Sequence, residues 1–172
     1  NGTITASAQA VESCAAGIVA ANAATAIVRN NQNAGAIHFG SKKGSAASSY
    51  IGGVAGIVGV AYGEVYGNTN EGDITSSSNV QALYIGGVTA LWPEECTKFE
   101  NNEQANASDI LAEGEPLKAY VGGIAGCVRG ESVTIDYTTN LLKSAGSIDV
   151  TDMVSDITNG LLCIGGHFGY IE

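Results

Sequence analysis

The sequence predicts an all-β fold: a β-solenoid, a parallel β-helix expected to be right-handed, with four to five units of about 36 residues. Three observations predict it. A glycine-rich apolar phrase returns along the chain, a Gly-x-Ile phrase returns in step with it, and a third apolar segment that runs into asparagine lies between them. One such unit cannot bury its apolar side alone, but stacked units can, because each strand then pairs with its copy about 4.8 Å away.

The glycine-rich phrase carries a tyrosine or cysteine, then an apolar residue, then two glycines. Clear copies start at Tyr50, Tyr84 and Tyr120, a further copy starts at Cys163, and a decayed copy starts at Cys14. Aligning the copies predicts one tyrosine column and two glycine columns, whose members are Tyr50, Tyr84 and Tyr120, then Gly52, Gly86 and Gly122, then Gly53, Gly87 and Gly123. Because stacked rings stabilise a solenoid, the tyrosine column is predicted to be structural. If it faced outward, it would instead form a flat strip suited to sugar rings.

The Gly-x-Ile phrase predicts a column of isoleucines in the interior. Its copies end at Ile4, Ile37, Ile74, Ile110 and Ile148, at intervals of 33, 37, 36 and 38 residues. β-branched side chains of this kind fit a buried pleated surface. We expect this column to supply much of the stability.

The third segment completes the predicted unit. It occupies residues 27–30, 65–68, 98–101 and 133–136, and asparagine follows each copy within a few residues. The asparagines Asn30, Asn68, Asn101 and Asn140 are predicted to form an inward ladder of stacked amides. Each unit is thus expected to hold three strands of 3 to 7 residues. The chain is expected to be one domain with units at residues 2–34, 35–71, 72–107, 108–145 and 146–172.

The alanine-rich stretch at residues 6–28 leaves two alternatives. Alanine is the best helix former, so a short helix capping the solenoid is one of them. The other is a decayed first coil, which the flanking isoleucine phrases at the common spacing favour. The decayed coil is the prediction.

Composition favours an extracellular or cell-surface protein. Charged residues make up only 14% of the 172 residues, and the net charge is −10. The acidic residues concentrate after residue 93, which predicts no nucleic-acid partner because the phosphate backbone would be repelled. No stretch is long and apolar enough for membrane insertion. The chain starts at Asn1 without a signal peptide and stops before an expected strand, so we interpret it as part of a longer array or as a unit that continues into a neighbouring subunit.

The sequence gives little support for a metal site or for disulfide bonds. Asp73 and Asp109 share a repeat position, and a further acidic cluster is formed by Asp149, Asp152 and Asp156, but no calcium-binding loop motif occurs. No metal or cofactor is therefore expected. Cys14 and Cys163 take the tyrosine position in the first and last units, about 19 Å apart by strand spacing, so they do not pair within one chain. Free thiols are expected at all four cysteines, with pairing of Cys96 and Cys127 through the 92–95 insertion as the alternative.

Catalysis is not expected. The two histidines, His38 and His167, lie in no nucleophile or zinc motif. Some β-helix enzymes act on polysaccharides through acidic, arginine and lysine side chains, and the nearest equivalent here is Lys98, Arg129 and Asp136. An enzyme of that kind is kept as an alternative.

The Gly-Gly-[Val/Ile]-Ala-Gly phrase, followed about twenty residues later by Gly-x-Ile, resembles GLUG-type repeats, which occur in adhesin-like bacterial surface proteins similar to filamentous haemagglutinin. The resemblance covers residues 2–166 and implies a surface location and binding rather than an active site. We therefore expect a structural or adhesive repeat protein that binds a host or matrix glycan or protein through its variable inserts at 41–49, 75–83, 111–119 and 149–162. The alternative is a fibre subunit that stacks on copies of itself.

Overall fold

The computed structural model describes residues 2–8, 12–41, 51–130, 141–153 and 160–172. Every regular element within these ranges is a β-strand, and every pairing between strands is parallel. The strands form five sheets, which we call A to E, and neighbours within a sheet come from successive units. The predicted β-solenoid is confirmed, while the hand of the coil stays a prediction.

Sheets A and B come from the isoleucine phrase and the first half of the glycine phrase, and each has five strands. Sheet A consists of β1 (Ile4–Ala8), β6 (Ile37–Ser41), β11 (Ile74–Ser77), β16 (Ile110–Glu113) and β20 (Ile148–Asp149). Sheet B consists of β2 (Glu12–Ala16), β7 (Ile51–Ala55), β12 (Ala82–Gly86), β17 (Lys118–Gly122) and β21 (Leu161–Gly165).

The other three sheets follow in the order C, D and E along each unit. Sheet C consists of β3 (Val19–Asn22), β8 (Val58–Ala61), β13 (Thr89–Trp92), β18 (Ala125–Val128) and β22 (Phe168–Ile171). Sheet D consists, among the described residues, of β4 (Ile27–Arg29), β9 (Glu64–Tyr66) and β14 (Phe99–Glu100). Sheet E consists, within the same ranges, of β5 (Gln32–Asn33), β10 (Thr69–Asn70), β15 (Glu103–Gln104) and β19 (Lys143–Ser144).

A full unit therefore holds five strands of two to five residues, and the prediction of three strands was wrong. The glycine phrase supplies two strands rather than one, because the chain turns a corner at Gly87 between β12 and β13. The segment after the asparagine adds the two-residue strand of sheet E. The alanine-rich stretch forms β2 and β3 in its described part, so it is a coil of the solenoid and not a helix.

The isoleucines form one continuous column in sheet A. Ile37 pairs with Ile4 and Ile74, and Ile110 pairs with Ile74 and Ile148. The three central members have no exposed surface, whereas Ile4 in the outermost strand is 38% exposed. Burial is thus complete only where a neighbouring unit lies on both sides.

The register of the second unit differs from the prediction by three residues. Tyr84 pairs with Gly53, not with the residue three positions earlier, and Gly52 pairs with Leu83. The corner glycine of the second unit, equivalent to Gly87, is Gly56. The next residue points into the core in both units: Ile57 after Gly56, and Val88 after Gly87. Gly52 and Gly53 are therefore not the corner glycines, and Tyr50 itself lies outside the described residues. The reason is that the corner leaves no space for a side chain: a Cβ on Gly56 would overlap the Gly87 carbonyl oxygen, whereas the atom nearest to a Cβ on Gly53 is 3.2 Å away.

The apolar side chains form three cores rather than a single narrow interior. One core lies between sheets A and B and includes Ile74, Leu83 and Ile85. The second lies between sheets B and C and includes Tyr84 and Cys127. The third lies between sheets C and D and includes residues such as Val65, Trp92 and Phe99. The sheets are thus layered in the order A, B, C, D.

An amide ladder runs along the corner between sheets D and E; the prediction is confirmed for Asn68 and wrong for Asn30 and Asn101. The side-chain oxygen of Asn68 accepts hydrogen bonds from Asn31, and that of Asn102 accepts them from Asn68, at 3.0–3.1 Å. The predicted Asn30 and Asn101 instead have positive φ angles of 55° and 53°, in the place that Gly67 takes with 65°. Asparagine tolerates this left-handed conformation, so it forms the corner while the next asparagine stacks. Asn140 lies outside the described residues.

A candidate binding cleft between sheets B and C

Sheets B and C lie very close together at the corner that joins them. A Cβ atom on Gly126 would lie 2.7 Å from the amide nitrogen of Ile85, and one on Gly86 or Gly122 would overlap the carbonyl oxygen of Thr89 or Ala125. The second corner glycines face sheet E, since a Cβ on Gly87 would lie 2.7 Å from Oε1 of Gln104. Glycine is required here because two backbones meet without space for a side chain. The corner is therefore the closed end of a cleft.

Tyrosine rings fill the space between the same sheets at the opposite ends of their strands. The rings of Tyr84 and Tyr120 stack with centroids 5.1 Å apart and planes 8° from parallel, and Tyr170 of sheet C lies 5.3 Å beyond Tyr120. Tyr84 and Tyr120 are only 7% and 8% exposed, and burial raises the pKa of both phenols. The column is therefore a buried stack and not an outward strip. It ends at Tyr84, because the next position in the column is Gly53, which has no side chain.

Arg129 crosses the mouth of this cleft. It directly follows β18, and its Nη2 donates a 2.8 Å hydrogen bond to the hydroxyl of Tyr84. Its Nε lies 2.9 Å from a carboxylate oxygen of Glu172, and its guanidinium carbon lies 5.4 Å from the Tyr84 ring centroid. The guanidinium favours the ionised phenol, but burial outweighs it in setting the pKa of Tyr84. Arg129 thus joins the two walls of the cleft.

A larger cavity of ≈ 400 Å³ lies on one side of Arg129, and Tyr120, Tyr170 and Glu172 border it. Its rim also includes Gln81, Lys118 and Leu161. Lys118 and Leu161 begin strands β17 and β21 of sheet B and pair with each other, and Gln81 directly precedes β12 in the same sheet. All three positions fall inside the segments predicted to carry ligand binding. The stacking of successive units brings them together on one concave surface.

Two polar groups at this cavity lack partners. Within the described ranges, the Tyr120 hydroxyl makes no hydrogen bond and the exposed Lys118 ammonium pairs with no carboxylate. Glu172, in contrast, is held by Arg129. The cavity therefore presents two free donors beside one neutralised ion pair.

A smaller cavity of ≈ 190 Å³ lies on the other side of Arg129. It occupies the region where the tyrosine column is interrupted, and Cys14, Gly53 and Tyr62 border it. A Cβ on Gly53 would lie 3.2 Å from the Cys14 sulfur, so Cys14 already occupies part of the missing ring position. This cavity is the narrower part of the cleft.

All four cysteines are free thiols. Cys96 lies in the core between sheets C and D, whereas Cys127 lies in the core between B and C, so they face opposite sides of sheet C. Burial raises the pKa of Cys96 to about 11. Cys14 and Cys163 occupy the same column, separated by the positions of Gly53, Tyr84 and Tyr120.

The structure describes the positions of three of the remaining candidate residues, Lys98, His38 and His167. Lys98 lies 3.7 Å from Glu100 and 4.2 Å over the Tyr66 ring, so it shares no described partner with Arg129. Asp136 lies outside the described residues. The ring nitrogen Nε2 of His167 is 3.2 Å from the carbonyl oxygen of Leu142. His38 is exposed on sheet A.

The stacked aspartates Asp73 and Asp109 link successive units through hydrogen bonds. The Asp73 carboxylate accepts a hydrogen bond from the Asp109 amide, and the Asp109 carboxylate accepts two from Ser147. Those hydrogen bonds lower the pKa of Asp109. Among the described residues, no group of three or more His, Cys, Asp or Glu side chains is placed to hold a metal ion.

No described segment forms a helix long and apolar enough to cross a membrane. The resemblance to GLUG-type repeats stays a hypothesis that rests on the repeated phrases alone. In comparisons with protein-family models, curated proteins and solved structures, no match to this chain is found.

Proposed function

We propose that this chain is a non-enzymatic repeat scaffold of a cell surface or extracellular assembly, and that it binds a glycan or matrix protein at the mouth of the cleft between sheets B and C. The observation that carries the proposal is that Gln81, Lys118 and Leu161, from three successive units, border one cavity beside Arg129. Binding sites are typically concavities where a few polar groups meet on a rigid scaffold.

The stacked sheets provide that rigid support. Each wall of the cleft is a five-stranded parallel sheet, and each wall packs its other face against a further sheet. The tyrosine stack holds the interior of the cleft in place, and the Arg129–Glu172 ion pair holds its mouth. Such preorganisation lowers the entropic cost of binding.

Binding to immobilised glycans and matrix proteins tests the proposal. Gln81→Trp places a bulky ring at the exposed rim of the cavity, and Gln32→Trp makes the same exchange on exposed sheet E, beyond the closed end of the cleft. We expect binding to at least one ligand class that Gln81→Trp weakens at least tenfold and Gln32→Trp preserves. Absence of binding to every class, or an equal effect of both variants, would overturn the proposal.

A second candidate is a fibre subunit that stacks on copies of itself. The outermost units expose residues whose column neighbours in the central units are fully buried. Ile164 is 48% exposed, whereas Ile85 and Val121 in the same column are 0% exposed. Ile18 is 41% exposed, whereas Ile124 at the equivalent position is 0% exposed. Open strand edges of this kind are templates for further pairing. If copies stack in the register of the internal units, Cys163 of one copy lies about 4.8 Å from the Cys14 position of the next, within disulfide range.

Mild oxidation followed by a non-reducing gel tests this second candidate. We expect a ladder of covalent multimers from the unaltered chain, no ladder from Cys14→Ser, and an unchanged ladder from the internal control Cys127→Ser. A chain that stays monomeric in sedimentation at high concentration and gives no ladder rules this candidate out.

A further inference from the structure

The larger cavity offers an incomplete set of hydrogen bonds. The Tyr120 hydroxyl belongs to a side chain that is only 8% exposed, borders the cavity, and lacks a partner in the described part of the chain. The hydroxyl is not among the buried side-chain atoms that lack a partner, so it reaches the open space of the cavity and is available to a ligand. The cavity therefore offers a hydrogen-bond donor at this point.

The charges around the cavity favour an anionic acceptor. Lys118 carries an unpaired positive charge at the rim, while Arg129 and Glu172 neutralise each other at 2.9 Å. Among the side chains that border the cavity, one positive charge therefore stays without a partner, even though the whole chain carries −10. A carboxylate that reaches both the Lys118 ammonium and the Tyr120 hydroxyl makes charge-assisted hydrogen bonds, which are stronger than neutral ones.

The rest of the cavity fits a hydroxylated ring. Tyr170 is 39% exposed at the cavity and offers an apolar surface, and the Glu172 carboxylate and Gln81 amide oxygen can accept hydrogen bonds from ligand hydroxyls. Its volume of ≈ 400 Å³ is at the small end of the range for ligand sites, roughly 300–1,000 Å³. A small ring with several hydroxyls and one carboxylate matches these groups better than a bare anion, which would leave Tyr170 and Gln81 unused.

We propose that this cavity binds one uronic-acid unit of a glycan, with its carboxylate on Lys118 and the Tyr120 hydroxyl and its sugar ring against Tyr170. This inference rests on the proposed function, because it names the ligand class of the same cleft. It makes Lys118 and Tyr120 the residues that select an acidic sugar over a neutral one.

A matched pair of small probes tests the inference. Methyl glucuronide and methyl glucoside differ only in a carboxylate replaced by a hydroxymethyl group, and NMR titration of the ¹⁵N-labelled chain follows both. We expect saturable shifts around the cavity with the glucuronide and at least tenfold weaker binding of the glucoside. Equal affinity for both probes, or shifts confined to other surfaces, would contradict the inference.

Three variants assign the roles. Lys118→Gln removes the unpaired charge and is expected to weaken glucuronide binding about tenfold. The control Lys143→Gln removes a charge that pairs with Glu103 outside the cleft, and it is expected to leave glucuronide binding unchanged. Tyr120→Phe removes only the hydroxyl and keeps the ring stack, so it is expected to weaken binding about fivefold or more with little change in Tm. Equal effects of the two lysine variants would refute the assigned charge.

Other outcomes separate this inference from the proposed function. If acetate binds as tightly as the glucuronide, the site is a simple anion site and the sugar assignment fails. If neither sugar binds but a ligand bound to the immobilised panel is lost in Gln81→Trp, this inference fails and the proposed function stands. If both experiments are negative, both fail.

Discussion

Replacement of Ile74 by alanine is the perturbation that the stacked architecture predicts most sharply. Ile74 has no exposed surface and lies between Ile37 and Ile110 in the column. Ile4 belongs to the same column but is 38% exposed and has a column neighbour on one side only. The two substitutions are chemically identical, so their difference isolates the contribution of stacking.

The expected magnitudes follow from burial. Isoleucine to alanine removes about three methylene-sized groups at ~0.8 kcal/mol each, and the cavity left in a closed column raises the cost to ~3–4 kcal/mol for Ile74. At Ile4 the exposed share and the open side reduce the cost to ~1.5 kcal/mol. For a chain of this size these values correspond to decreases in Tm of about 6–16 °C and about 3–6 °C.

Urea unfolding followed through the single tryptophan, Trp92, measures both variants. Trp92 is 4% exposed and stacks on Phe99 at 4.3 Å, so its emission reports loss of the packed units. We expect the midpoint of Ile74→Ala to fall at least twice as far as that of Ile4→Ala. Equal shifts, or a larger shift for Ile4→Ala, would refute the argument that central positions are stabilised from both sides.

Three further predictions concern the corner, a buried asparagine of sheet E and a buried thiol. Gly87→Ala is expected to destabilise the folded chain by about 3 kcal/mol in thermal melts, because the added Cβ overlaps the Gly123 carbonyl oxygen. The control is Gly166→Ala, which has nothing within 4 Å of its added Cβ and is expected to cost less than ~0.5 kcal/mol. Equal decreases in Tm for the two variants would contradict this. Asn70→Ala is expected to cost ~1–3 kcal/mol in urea, because the side chain is fully buried and its Nδ2 donates to the Gly72 carbonyl oxygen at 2.8 Å; no loss would contradict it. The Cys96 thiol has a pKa of about 11 in the folded chain and about 9 in the unfolded chain, so the unfolded chain loses this proton first. The free energy of unfolding therefore falls as pH rises from about 9 to 11, by roughly 2 kcal/mol at pH 11. The same alkaline titration of Cys96→Ser is expected to lose that part of the decrease, and an identical profile would refute the assignment.

The sequence is most predictive where a position is buried in every unit. The isoleucine column follows from Gly-x-Ile alone, because an inward β-branched residue next to a glycine turn leaves a strong recurring signal. Strands of two residues leave no such signal, since alternation needs at least three or four positions. For that reason β15 (Glu103–Gln104), which is polar in both residues, is not predictable from its pattern.

The two register errors have a common physical origin. Gly52-Gly53 looks like the corner pair, but the corner is specified by a lack of space for a side chain, which holds at Gly56 and not at Gly53. In the asparagine pairs Asn30-Asn31 and Asn101-Asn102 one residue turns the chain and the other stacks. Adjacent identical residues with different roles cannot be separated by counting.

The cleft could be predicted only in part. The tyrosine stack is visible as a repeat, and Arg129 stands out as one of few basic residues in an acidic half of the chain. The positions of Lys118 and Tyr170 recur in neighbouring units, but their side chains do not, since Lys118 pairs with Ala82 and Leu161 and Tyr170 pairs with Cys127. Gln81 lies just before β12. The repeated phrases therefore do not mark these residues. Their convergence depends on how sheets B and C diverge from the corner, which only the three-dimensional structure shows.

The most direct test of the stacked architecture is a NOESY spectrum of the isotope-labelled chain. Parallel pairing in the observed register predicts cross-strand contacts from Ile74 to both Ile37 and Ile110, and from Tyr84 to Gly53. Absence of the isoleucine contacts, or contacts that pair Tyr84 with Tyr50 instead of Gly53, would contradict the arrangement of columns on which the cleft and its proposed ligand depend.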